Sequence, residues 1–284
     1  MYITHYKEMQ PMKPNILIRL LFAALQSKGR LGKSWFALVV SAWLDYRGIS
    51  WAGHDLDDAH GTFSSRYPNV KKLKIADEIT GLDELVKVFR AALSGAFPVY
   101  LCDTRAQLSP LIADCITRTK FFDLAASAGL RMTLLVFVAD DDDSLRSLIE
   151  GMQQTGTSAD YLAIRTPALY GSRRYDGSPL QRTLLDAGAQ EITMPVLMES
   201  TRRAISRAEA ACKRSLSFPE AVLNLTDFAR ADLEYFLAAA FLELDRVSSL
   251  LLPTKEAASI TQPTTNLPKK SDAFGLVSIN LNDE

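Results

Sequence analysis

The residues best equipped for chemistry in this 284-residue chain form one short run, Ser27-Lys28-Gly29-Arg30-Leu31-Gly32-Lys33-Ser34. Binding a polyphosphate takes inward-turned backbone N–H groups, glycine where the chain curls, a lysine that reaches the β/γ-phosphates and a hydroxyl for Mg²⁺. Gly32-Lys33-Ser34 supplies the last three in order. The full pattern places a glycine five residues before Gly32, where this chain has Ser27. A helix N-terminus that happens to read Gly-Lys-Ser therefore stays open as the plain alternative. The candidate cofactor-binding stretch is Gly29, Arg30, Leu31, Gly32, Lys33, Ser34 and Trp35, with Lys28 at its edge.

Acids gather at the ends of apolar runs. Asp55, Asp57 and Asp58 follow ISWAGH, Asp103 ends PVYLCD, and Asp140 to Asp143 end LRMTLLVFVA. Ligands of open α/β sheets bind outside the C-terminal ends of the strands. Asp103 is thus a candidate Mg²⁺ ligand and Asp57 a candidate catalytic acid, although any member of the Asp55–Asp58 turn could serve only as a cap. The run of four acids reads as one helix cap with solvated neighbours. His5, His54 and His60 lack metal-ligand spacing, and His60 reads as an exposed loop residue near the acidic turn. No Gly-x-Ser-x-Gly nucleophile elbow occurs.

These groups need a scaffold, and the hydrophobic pattern supplies one. ILIRLLFAAL, from Ile16 to Leu25, is an apolar strand followed by a polar turn and the helix SWFALVVSAWLDYRG, which ends at Gly48. ISWAGHD, PVYLCDT, LRMTLLVFVAD, DYLAIRTP and EITMPVL are further strands. Between and after them lie helices over GLDELVKVFRAAL, SPLIADCITRTKFFDLAASAG, SLRSLIEGMQQTG, PLQRTLLDAGAQ, TRRAISRAEAACKR and FARADLEYFLAAAFLELDRVSSLLL. Near-continuous apolar strands alternating with helices predict an α/β fold, doubly wound, with a mostly parallel sheet and helices on both faces.

Composition narrows the class further. With 32 Lys+Arg against 33 Asp+Glu and 48% apolar residues, the chain can bury a sizeable core, and its surface is not one basic clamp for nucleic acid. A local basic face remains, from Arg202, Arg203, Arg207, Lys213 and Arg214, which could touch a DNA backbone; Glu209 interrupts it, which favours a solvated helix with a few ion pairs. Three scattered cysteines fit a reducing compartment and no disulfide framework. The opening MYITHYKEMQPMKPN lacks the pattern of a secretory leader, and no apolar run approaches the roughly 20 residues of a membrane span. The expectation is a cytoplasmic protein. It divides into an N-terminal extension (1–14), one domain (15–252) and a flexible tail (253–284), whose end AFGLVSINL is apolar enough to dock on its own domain or a partner.

Lys28-Gly29 before Leu31-Gly32-Lys33-Ser34 resembles the deviant phosphate loop of the ParA/MinD family of P-loop ATPases, Lys-Gly-Gly-x-Gly-Lys-Ser/Thr. HDLDDAHGTFSSRYP is similar to that family's second-strand and switch I segment, and PVYLCDTRAQ to its Walker B and switch II segment. YLAIRTPALYGSRRYDGSPL, EITMPVLMES and RSLSFPEAV follow in the order of the plasmid-borne TraL/StbB branch, so the resemblance covers Asn15 to Leu252. It implies a Mg²⁺-ATP-dependent switch that dimerises on ATP and hydrolyses it slowly, in plasmid or mobile-element DNA transfer, partition or positioning. In that scheme Lys33 binds the β/γ-phosphates and Lys28 reaches the partner's phosphates across a homodimer. Ser34 and Asp103 hold Mg²⁺, and Asp57 positions the attacking water. The chain departs from the family at Arg30, which stands for the second glycine, at Asp103-Thr104-Arg105-Ala106, which lacks the switch II prolines, and at Arg165, where asparagine is usual. Those departures motivate a second reading, a nucleotide-gated adaptor with little turnover; a small-molecule kinase or ligase is a third.

Overall fold

In the computed structural model, described for residues 15–22, 31–58, 60–75, 77–105, 108–138, 149, 152–153, 155–167 and 174–260, the apolar runs become strands shorter than their sequence limits. They are β1 (Ile18–Phe22), β2 (Trp51–Asp55), β3 (Val70–Lys72), β4 (Val99–Asp103), β5 (Leu130–Val138), β6 (Asp160–Arg165) and β7 (Gln190–Thr193). They pair in the order β3-β2-β4-β1-β5-β6-β7, and every pairing is parallel. The fold class is α/β, as the strand–helix alternation requires.

Strand periodicity divides the core in two. Leu21, Val99, Leu101, Leu135, Phe137, Leu162 and Ile164 face one cluster. Leu20, Phe22, Tyr100, Cys102, Leu134, Val136 and Ala163 face the other, because successive side chains point to opposite faces. The first cluster is closed by α1 (Lys33–Tyr46), α6 (Glu199–Cys212), α7 (Phe218–Asn224) and α8 (Asp227–Arg246), the second by α2 (Glu78–Leu93), α3 (Ser109–Thr119), α4 (Phe121–Ser127) and α5 (Pro179–Asp186). Gly53 lets β3 approach: a Cβ there would lie 2.5 Å from Val70 Cγ2.

Several elements depart from the sequence expectation. The helix expected over SPLIADCITRTKFFDLAASAG breaks into α3 and α4 at Lys120, whose φ of 48° is left-handed. The long C-terminal helix stops at Arg246 and resumes as α9 (Ser248–Leu251). Beyond Leu252, Thr254–Ile260 form α10, with Ala257 buried in the first cluster, where the sequence reading begins the tail. The run Asp140–Asp143, most of the SLRSLIEGMQQTG helix, residues 1–14 and 261–284 lie outside the described residues. Among the described residues, no helix is long and apolar enough to cross a membrane.

Strands β2 to β4 lie on one side of β1 and β5 to β7 on the other. The winding reverses there, so the C-terminal ends of β1, β2 and β4 border the crevice where open α/β sheets bind ligands.

Candidate nucleotide-phosphate site

Gly32 opens α1 in the left-handed region, with φ 90°, a turn that costs glycine least. Phe36 N–H donates to Gly32 O at 2.8 Å, closing the first helical bond. Lys33, Ser34 and Trp35 therefore fill the first turn. That turn contains no acid, so no side chain of the helix offsets the positive end of its dipole. Lys33 is buried, 7% exposed. Desolvation lowers its pKa, and the pull of Asp103 and then Asp57 works against that loss. Three residues far apart in sequence thus meet electrostatically at one edge of the sheet. The Trp35 ring turns away, packing edge-on against Phe218 at 4.7 Å.

Asp103, the last residue of β4, is fully buried, and among the described residues neither carboxylate oxygen has a well-formed hydrogen bond. Burial pushes its pKa up to about 7, with Asp55 adding to the rise; the nearby Ser34 hydroxyl and Lys33 hold it down. The Ser34 contact acts on the charge without satisfying the oxygens. A buried, unpartnered carboxylate beside a hydroxyl is a donor set for a hard divalent cation that keeps waters and phosphate oxygens as its other ligands. Ser34 and Asp103 therefore fit Mg²⁺. Among the described residues no cluster of three or more His, Cys, Asp or Glu could cage a metal.

The acidic turn separates into three jobs. Asp55 lies opposite Asp103 in the register and is buried. Its carboxylate accepts the backbone N–H groups of Asp57 at 3.0 Å and Ser64 at 2.8 Å, so it shapes the loop. Asp58 accepts from the Arg105 guanidinium at 2.6 Å, tying the loop after β2 to the loop after β4. Asp57 accepts the His60 N–H at 3.2 Å and lies 3.3 Å from His60 Nδ1, while its charge reaches Lys33. The sequence did not assign the Asp55 clamp or the Arg105 tie. The adjacency of HDLDDAH to a second acidic strand end was the one available signal.

Lys28, Gly29 and Arg30, three of the candidate loop residues, lie outside the described residues, as does Ala106. Arg165 is bound to Asp176 and Glu191 and lies over the Tyr175 ring at 5.2 Å. On the basic helix, Arg203 pairs with Glu199 at 3.1 Å, and Arg66 reaches Glu209 at 2.7 Å. Arg214 pairs with Glu220 at 2.8 Å, and Arg202 sits 5.8 Å over the Trp35 ring. Much of the charge on that face is neutralised locally, and Arg207 shares the helix with both acids.

No family model and no curated protein matches the chain. Among solved structures, the chain is similar to a MinD cell division protein from Aquifex aeolicus, with 14% identity over 83% of this chain and 98% of that one, and a TM-score of 0.41.

Proposed function

We propose that the chain is a Mg²⁺-ATP-dependent switch with slow hydrolysis. One observation carries this reading: Lys33, Asp57 and Asp103, whose buried oxygens have no well-formed hydrogen bond among the described residues, converge on the first turn of α1. The first-turn amides and the Lys33 ammonium take the phosphate oxygens. Ser34 and Asp103 would hold Mg²⁺, which would supply charge neutralisation at the β/γ-phosphates. Asp57 orients a water whose oxygen attacks the γ-phosphorus as the bond to the β-phosphate oxygen breaks, giving ADP and phosphate. Positioning and charge neutralisation do most of this work. The ATP-dependent homodimer, the crossing of Lys28 to the partner's phosphates, a role in plasmid DNA transfer or partition, contact of Arg202, Arg203 and Arg207 with DNA, and a cytoplasmic setting extend the proposal from the family resemblance.

The second reading, an adaptor with little turnover, is motivated by Arg30 and by the Asp103-Thr104-Arg105-Ala106 segment, which lacks the family's prolines. Titration calorimetry and phosphate release decide. The switch predicts ATP binding that weakens when Mg²⁺ is chelated, and phosphate release that falls at least 100-fold in Lys33→Ala, about 2.7 kcal/mol of lost stabilisation. Tight binding with no release selects the adaptor. A chain that binds no ATP in Mg²⁺ overturns both.

A further inference from the structure

Helix α8 has two apolar faces. Leu233, Phe236, Leu237, Ala240, Phe241 and Leu244 enter the core. On the opposite side Phe228, Tyr235 and Leu242 are 90%, 72% and 60% exposed, with Ala231 and Ala238 exposed between them. The spacing is three, four, three and four residues, which draws one straight seam along the helix. A surface helix ordinarily puts polar residues there. The exposed Met198 borders the seam, since its N–H donates to Asp232 Oδ2 at 3.1 Å.

We propose that this seam is a self-association surface on which α8 packs antiparallel against α8 of a second copy. The order of sizes points to that occupant. Large and small residues alternate along the seam, Phe228, Ala231, Tyr235, Ala238. An antiparallel partner can set Phe228 against the partner's Ala238, Ala231 against the partner's Tyr235, Tyr235 against the partner's Ala231, and Ala238 against the partner's Phe228. Each of these four layers then joins one large side chain to one hole, while Leu242, whose antiparallel counterpart at position 224 precedes α8, lies beyond the paired layers. A parallel pair would stack large on large and leave voids at the alanines, which close packing disfavours. The two charges flanking the two-fold are already engaged: buried Asp232 accepts the Met198 N–H at 3.1 Å and Glu234 holds Arg230 of its own helix at 3.0 Å.

The area suits a weak dimer. A 20-residue helix is about 30 Å long, and its three large exposed side chains leave roughly 400 Å² in contact with water. The two copies together bring roughly 800 Å² of these side chains out of water, the range of weak and transient association. Association through this seam needs no nucleotide.

Sedimentation equilibrium of the nucleotide-free full chain, up to about 200 µM, tests it in the range where a small interface associates. The expected result is a mass approaching two chains, returning to one chain in Phe228→Glu and in Tyr235→Glu with unchanged circular dichroism. Ala231→Leu, which fills a hole, should weaken association at least tenfold. A full chain that stays single over this range overturns the proposal, as does a dimer that survives all three substitutions. Dimerisation gained only when Phe274→Asp and Leu276→Asp are introduced also overturns it, by assigning the seam to the chain's own C-terminal segment.

Discussion

Asp103 carries a burial cost that Ser34 and Lys33 offset only in part. Its carboxylate is buried, neither oxygen has a well-formed hydrogen bond among the described residues, and its pKa is raised to about 7, so at neutral pH a partly charged group is held at the expense of stability. Asp103→Asn should therefore raise the melting temperature of the ligand-free protein by several degrees while removing the extra stabilisation that Mg²⁺-ATP gives the parent. Thermal melts with and without Mg²⁺-ATP check both halves, and a lower ligand-free melting temperature would count against the assignment. His54 works in the other direction of pH. It is buried on β2 beside Tyr100, its Nδ1 has no partner among the described residues, and desolvation together with Lys71 lowers its pKa to about 4. The unfolded chain takes up the proton near pH 6.5 and the native protein only near 4. Native stability is thus unaffected above 6.5 and falls as pH drops from 6.5 toward 4, by up to about 3 kcal/mol. His54→Phe should flatten that slope in urea midpoints measured across the interval. Of these residues, Lys33 and Ser34 were legible because their signal is a local pattern. The division of labour among Asp55, Asp57 and Asp58 was not, since it depends on the β2–β4 register and on the Ser64 amide, which local sequence does not encode.

Elements were legible where periodicity ran long. The strands around Leu101, Leu134 and Leu162 declared themselves as apolar runs, whereas β3, with only Val70, Lys71 and Lys72, is too short to show a period and exists because β2 offers it an edge. The true start of α2 had a signal that the apolar pattern outweighed. Asp77 caps the helix through Thr80 N–H at 2.8 Å, with Thr80 Oγ1 accepting the Asp77 N–H in return, so the helix begins before the apolar stretch at Gly81. The breaks at Lys120 and Val247 lacked any such marker. A lysine in the left-handed region is chosen by the packing of α3 and α4 on either side, a tertiary effect that overrides residue preference. Trp43 and Arg47 on α1 both donate to Asp245 near the end of α8, which fixes the two helices in register over the first core cluster.

At the scale of the molecule, one cation in the middle of an apolar strand turns out to organise the far end of the sheet. Arg19 is 2% exposed on β1 and donates to Leu252 O at 3.1 Å, to Ser249 O, to Thr133 Oγ1 and to Asp160, which also binds Arg131. It joins three strands to the C-terminal helices. Burial lowers its pKa, and Asp160 opposes that. Arg19→Met should cost about 2–4 kcal/mol, because it leaves the Leu252 and Ser249 carbonyls without their donor and takes from Asp160 one of its two guanidinium partners, and a urea midpoint unchanged from the parent would refute that role. The order of strands was not legible at all, since an alternation of strands and helices is compatible with several windings of one parallel sheet. Next to this network, Ile16 and Thr254 clasp each other: Thr254 N–H donates to Ile16 O at 2.9 Å, and Ile16 N–H to Thr254 Oγ1 at 2.9 Å. The stretch leading into β1 is therefore fastened to the start of α10 at the pole opposite the C-terminal strand ends. A load pulling those two points apart would unfasten this clasp before it strained the sheet, and a tether fixed there would leave the candidate site clear.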